Sequence, residues 1–139
     1  MKLIFLDIDG VLNSADWFRR REKLPPTSTR DEFIHNHIDP DALSLLKQLL
    51  EDTNASVVLS STWRRFEDDK RILNERGIEW IDVTPYFPGE PRGKEVKEWL
   101  DRHALESKHT VDKYAILDDD GNFLEGQPLF QTSGRIGLT

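Results

Sequence analysis

The chain has 139 residues, a net charge of −7, 37% apolar and 32% charged residues, and no cysteine. That is the balance of one globular domain with room for a buried core, and it excludes disulfides, thiolate metal ligands and cysteine nucleophiles. The acidic charge argues mildly against a dedicated nucleic-acid binder. No apolar run approaches the roughly 20 residues that cross a bilayer. The short apolar run at the amino-terminus is cut by Asp7 and Asp9, unlike a signal peptide, and a cytoplasmic location fits.

In chain order, Lys2 to Leu6 is an apolar run entering the turn Asp7-Ile8-Asp9-Gly10, the pattern of a buried strand. Asn13 to Ile38 reads as loop or a small insertion, with Pro25-Pro26 and a basic stretch of Arg19, Arg20, Arg21, Lys23 and Arg30. Asp39-Pro40 opens a helix, with Asp as N-cap and Pro at the first position. Ala42, Leu43, Leu46, Leu49 and Leu50 follow at helical spacing. Ser56 to Leu59 predicts a second buried strand, leading to Ser60-Ser61-Thr62. A helix from about Glu67 carries Ile72 and Leu73 and stops at Gly77. Ile78 to Val83 reads as a third strand. Lys94 to His103 reads as a helix burying Val96, Trp99 and Leu100, and Tyr114 to Leu117 as a fourth strand ending at Asp118, Asp119 and Asp120. A fifth strand is expected near Leu129 to Thr132. The two tryptophans Trp80 and Trp99 are expected as core anchors.

Strands alternating with amphipathic helices predict an α/β fold, a three-layer, doubly wound parallel sheet in one domain spanning residues 1–139. Such sheets bind ligands at the carboxyl ends of their strands. Here three strand ends deliver polar groups to that edge: Asp7 and Asp9, Ser60 and Ser61, Asp118 and Asp119. Carboxylates brought together in this way repel unless a cation lies between them, and hard oxygen donors suit Mg²⁺ completed by phosphate oxygens. A carboxylate can also attack phosphorus, dividing a difficult hydrolysis into two steps. Hydroxyl and backbone N–H groups can hold phosphoryl oxygens, and a lysine such as Lys94 at a helix start can offset their charge.

These residues resemble the motifs of the haloacid dehalogenase (HAD) superfamily. Asp7-Ile-Asp9-Gly-Val-Leu-Asn13 resembles the first motif, Val57-Val-Leu-Ser-Ser61 the second, Lys94 the third and Ile116-Leu-Asp118-Asp119 the fourth, in the family's order. The wording DIDGVLN, LSSTWRR, RGKEVKEWL, ILDDD and GLT resembles most closely the HAD domains of Swiss army knife RNA repair proteins. The resemblance implies a HAD/Rossmann-like phosphatase with a minimal cap, the insertion around residues 14–38. It implies Asp7 as nucleophile, Asp9 as acid and base, and Ser61 and Lys94 as further catalytic groups. Ser60, Thr62, Arg64 and Arg92 are expected to bind substrate, and Asp7, Asp9, Asp118 and Asp119 to hold Mg²⁺, Asp9 through its backbone carbonyl. Three choices stay open: Arg92 or Lys94 as the basic residue, Ser60 or Ser61 on the phosphate, and which of Asp118, Asp119 and Asp120 reach the metal. In Arg19, Arg20 and Arg21 a solvated basic face competes with a substrate-facing rim.

Other motifs fail on detail. Gly89 to Lys94 lacks the length of a phosphate-binding P-loop and the hydroxyl residue after its lysine. Asp118 to Leu129 begins like an EF-hand but places Phe123 where glycine is needed and Leu129 where glutamate is needed. His35-Asn36-His37 matches a nuclease motif only in its letters. The expected activity is a phosphomonoesterase acting on polynucleotide ends or nucleotides. The alternative is a silent phosphate-binding or partner-interaction module of the same fold.

Overall fold

The structure is a computed structural model that describes residues 1–21, 37–106 and 110–139. Lys23, Arg30 and His35, the side chain of Arg21 and most of the predicted insertion lie outside the described residues. In order, the elements are β1 (Lys2–Leu6), α1 (Ala15–Arg21), α2 (Pro40–Thr53), β2 (Ser56–Leu59), a 3₁₀ turn (Thr62–Arg65), α3 (Glu67–Glu75), β3 (Asp82–Val83), α4 (Arg92–Glu106), β4 (Lys113–Asp118) and β5 (Leu129–Gln131). All five strands are parallel, in the order β3-β2-β1-β4-β5. β1 therefore sits at the centre, where its apolar run is covered on both faces.

Side chains of a strand alternate between faces, and β1 divides the core accordingly. Ile4 and Leu6 join Val57, Leu59 and Leu117 beneath Ala42, Leu43 and Leu46 of α2 and Ile72 and Leu73 of α3. Leu3 and Phe5 join Val58 and Ile116 beneath Val96 and Trp99 of α4. The Phe5 ring meets Trp99 edge-on at 5.5 Å, and the Trp99 indole N–H donates to Asp82 Oδ2 at 2.8 Å, so the polar edge of this anchor is also satisfied. Helices thus cover both faces of the sheet. None among the described residues is long and apolar enough to cross a membrane.

α2 begins as its sequence predicts. Asp39 accepts from the Asp41 N–H at 2.9 Å and Pro40 supplies the first turn. Two expectations change. Part of the segment read as loop is helix α1. The third strand keeps only Asp82 and Val83, because the Ile78 N–H is already committed to Leu73 O (3.0 Å), closing the end of α3 rather than pairing with β2.

Candidate active site

The register of the sheet assembles the site. Leu6 pairs with Leu59 on one side and Leu117 on the other. The ladder runs one step further, through Ser60 N–H to Leu6 O (2.9 Å) and Asp7 N–H to Leu117 O (3.0 Å). Asp7, Ser60 and Asp118 therefore leave the sheet at one level. Counting by twos from Phe5, Val58 and Ile116 puts all three on the α4 face. Ser61 has the opposite parity, and its hydroxyl caps the 3₁₀ turn by accepting from Trp63 N–H at 3.2 Å. The buried Ser60 hydroxyl has no hydrogen-bond partner. Of the two serines, Ser60 stands level with Asp7 while Ser61 shapes the turn.

Asp7, Asp118 and Asp119 each present a carboxylate oxygen within 4.8 Å of the others. Asp118 is fully buried, and its Oδ2 accepts no hydrogen bond. Burial, and then the neighbouring Asp7, push the Asp118 carboxyl up to about 8. Burial also raises Asp7, against the pull of Arg92. This is a site short of positive charge, and three hard oxygen donors, one from a carboxylate with an unsatisfied buried oxygen, suit a small divalent cation. Asp120 is turned aside: it is exposed, and its carboxylate accepts from Asn122 N–H at 3.1 Å. Gly10 makes the arrangement possible. Its φ of +82° suits glycine, and a Cβ there would lie 2.1 Å from Asp119 Oδ2.

The Asp9 side chain does not join the three acids. Its Oδ1 accepts from Asn13 Nδ2 at 2.9 Å and its Oδ2 from the Trp63 indole N–H at 3.2 Å, leaving it at the exposed rim of the same edge. Asn13 Oδ1 in turn accepts from Gly10 N–H at 2.8 Å. The role of Trp63 had no sequence signal. Asn13 had one, four residues after Asp9 in a tight turn, but no role could be read from it.

Of the two candidate bases, Arg92 faces the acids. Its Nη1 lies 3.2 Å from Asp7 Oδ1, 2.7 Å from Ser60 O and 3.6 Å from Asp118 Oδ2. Lys94 is exposed and pairs with Glu90 at 2.8 Å, whereas Arg92 opens α4 at the level of the acids. Gly93 brings that first turn against the 122–127 loop, where a Cβ would lie 2.6 Å from Leu124 N. Arg64 is turned to other partners. It is buried, and its donors go to Thr84 O (3.0 Å), Ser60 O and Ser61 O (both 2.7 Å), Pro85 O (3.2 Å) and Glu95 Oε1 (3.2 Å). Four hydrogen bonds and one ion pair thereby engage the guanidinium, and Arg64 ties the end of β2 to the segment after β3. Thr62 is exposed at the start of the 3₁₀ turn. Of the basic rim, the described side chains are paired: Arg19 with Asp16, and Arg20 with Asp39 at 3.2 Å.

A model of the family described as the HAD domain in Swiss Army Knife RNA repair proteins matches residues 3–139. The chain belongs to this family. The match runs from β1 through β5, so every strand end that carries a HAD motif falls within it. No curated protein and no solved structure matches the chain.

Proposed function

We propose that this HAD domain is a Mg²⁺-dependent phosphomonoesterase that works through an aspartyl-phosphate on Asp7, with polynucleotide terminal phosphates or nucleotides as substrates. The observation that carries the reading is the group of Asp7, Asp118 and Asp119 within 4.8 Å, beside Arg92 and the unpartnered Ser60 hydroxyl. Mg²⁺ held by these three carboxylates and the Asp9 backbone carbonyl would screen the charge between nucleophile and phosphate and orient both. Asp7 attacks phosphorus, forming the acyl-phosphate bond as the ester P–O bond breaks. Asp9, held at the rim by Trp63 and Asn13, gives its proton to the departing oxygen. Asp9 then takes a proton from water as that water attacks phosphorus, releasing inorganic phosphate and restoring Asp7. Arg92 and the Ser60 hydroxyl steady the phosphoryl oxygens in both steps.

The test is phosphate release with Mg²⁺ or EDTA across nucleotides, sugar phosphates and oligonucleotides bearing a 3′- or 5′-phosphate. The expected result is release with Mg²⁺, loss in EDTA and poor rescue by Ca²⁺, whose longer and looser coordination misplaces the reacting groups. Release that persists in thoroughly chelated protein would contradict the proposal. No release from any ester would leave a phosphate-binding module as the better reading.

A further inference from the structure

Beside Ser60, on the side away from the acids, three exposed side chains form a platform. The Arg65 guanidinium lies 3.9 Å from the Tyr86 ring centroid and 5.9 Å from that of Phe66. Phe66 is 54% exposed and Tyr86 44%, and Arg65 is also exposed. Among the described residues Arg65 has these two rings as neighbours and no carboxylate within ion-pair distance, in contrast to Arg19 with Asp16 and Arg20 with Asp39. Its donors therefore remain open to an anion.

The platform shares the edge that carries Asp7. Thr84 N–H bonds Leu59 O at 3.0 Å, at the level where Ser60 bonds Leu6, and Tyr86 lies two residues beyond. Arg64 joins the two positions from beneath, bonding Ser60 O at 2.7 Å and Pro85 O at 3.2 Å. β3 is two strands from β1, about 10 Å at ~4.8 Å per strand, and Tyr86 follows β3 at the same end of the sheet. A sugar and base attached to the reacting phosphate span that interval.

We infer that Arg65, Phe66 and Tyr86 are a stacking subsite for an unpaired nucleotide next to the reacting phosphate. Arg65 already covers a face of Tyr86, with Arg64 5.8 Å from the same ring. The exposed Phe66 ring and the ring-backed Arg65 guanidinium would take the flat face of a base, and the outward N–H groups of Arg65 the adjoining backbone phosphate. Stacking on exposed rings accepts any base, and an arginine beside them adds both cation–π and phosphate contact. A sugar phosphate or a phosphorylated serine or threonine offers no flat face for these rings. The acids Glu67, Asp68 and Asp69 open α3 just beyond Phe66, Glu67 pairing with Lys70 at 2.7 Å, and they limit the contact to the end of a strand. The inference rests on the phosphatase reading of the site.

Fluorescence anisotropy of a short single-stranded oligoribonucleotide bearing a terminal phosphate, in Mg²⁺, tests it. Parent protein, Arg65→Ala, Arg65→Ala with Tyr86→Leu, and Arg19→Ala with Arg20→Ala are compared at two salt concentrations, and thermal melts check folding. The Arg65/Tyr86 variant should bind about tenfold or more weakly. Arg65→Ala alone should flatten the slope of log affinity against log salt by about 0.7. The Arg19/Arg20 variant should bind as the parent does. Equal affinity in parent and Arg65/Tyr86 variant, loss confined to the Arg19/Arg20 variant, or no measurable binding by the parent overturns the inference. Failure of the phosphatase reading registers separately, as absence of phosphate release, and does not alter this binding measurement.

Discussion

On the β1/β4 side of the site, three carboxylates meet, and one of them, Asp118, has a buried oxygen that accepts no hydrogen bond. On the β2/β3 side, one buried guanidinium, that of Arg64, makes four hydrogen bonds to carbonyls and an ion pair with Glu95. The first half stores repulsion that a bound cation would relieve. The second is complete without any ligand and serves as a rigid wall. Arg92 stands between them, bonded to the Ser60 carbonyl of the wall and to the Asp7 carboxylate. The contrast separates groups kept ready for chemistry from groups that hold them in place, although both kinds are charged and buried.

Breaking the wall should cost the most stability. Arg64→Ala removes the ion-pair partner of the buried Glu95 and the side-chain donors of Thr84 O and Pro85 O, while Ser60 O keeps Arg92 and Ser61 O keeps a backbone N–H. Removing one partner of a buried pair typically costs about 3–5 kcal/mol. Chemical denaturation of the variant should show a loss of that order, with Arg64→Lys rescuing little because an ammonium cannot reproduce the fork. A loss below about 1 kcal/mol would mean the network is solvated and the wall is not rigid.

The acid half should behave in the opposite way, through pH and metal. The Asp118 carboxyl is raised from 3.8 to about 8 in the fold, so the folded protein keeps a proton that the unfolded chain has released. In EDTA its contribution to stability is fully present below about pH 4 and is lost as pH rises towards 8. The melting temperature should fall across that window by about 4 °C per kcal/mol lost. Mg²⁺ should raise it most at the alkaline end, and Asp118→Asn should flatten the profile. A melting temperature in EDTA that is level from pH 5 to 8 in the parent, or falls equally in parent and variant, would remove Asp118 as the cause.

A smaller effect is expected where the halves are joined. Trp63→Phe keeps the ring and deletes the N–H that holds Asp9. We expect kcat to fall roughly tenfold with KM little changed, a part of the 10²–10⁴ that acid–base catalysis supplies. An unchanged kcat would show that Asn13, the other partner of this carboxylate, holds Asp9 without help.

Much of this arrangement is legible in the sequence. The apolar runs before Asp7, Ser60 and Asp118 mark buried strands, and the strand-end rule collects their polar residues on one edge. Counting by twos from Phe5, Val58 and Ile116 puts Ser60, and not Ser61, on the face of Asp7 and Asp118. The placement of Arg64, Arg92 and Lys94 is not legible in this way. In sequence each is a cation near a helix or turn, and only the packing of α4 against the 122–127 loop decides which one faces Asp7. Trp63 escaped for the same reason: its contact with Asp9 joins residues 54 positions apart. The shortened β3 was hidden because Ile78 to Val83 alternates well, while the closing bond of α3 that removes Ile78 is a tertiary choice.

The central claim, that Asp7 carries the phosphoryl group, is tested most directly by acid-quenching the protein during turnover with Mg²⁺ and locating the phosphoryl group by tandem mass spectrometry. The account predicts a phosphoryl group on Asp7, absent in EDTA and from Asp7→Asn, with turnover by that variant lower by at least about a thousandfold. Phosphate release at the parent rate by a folded Asp7→Asn protein, or a phosphoryl group trapped on any other residue, would contradict it.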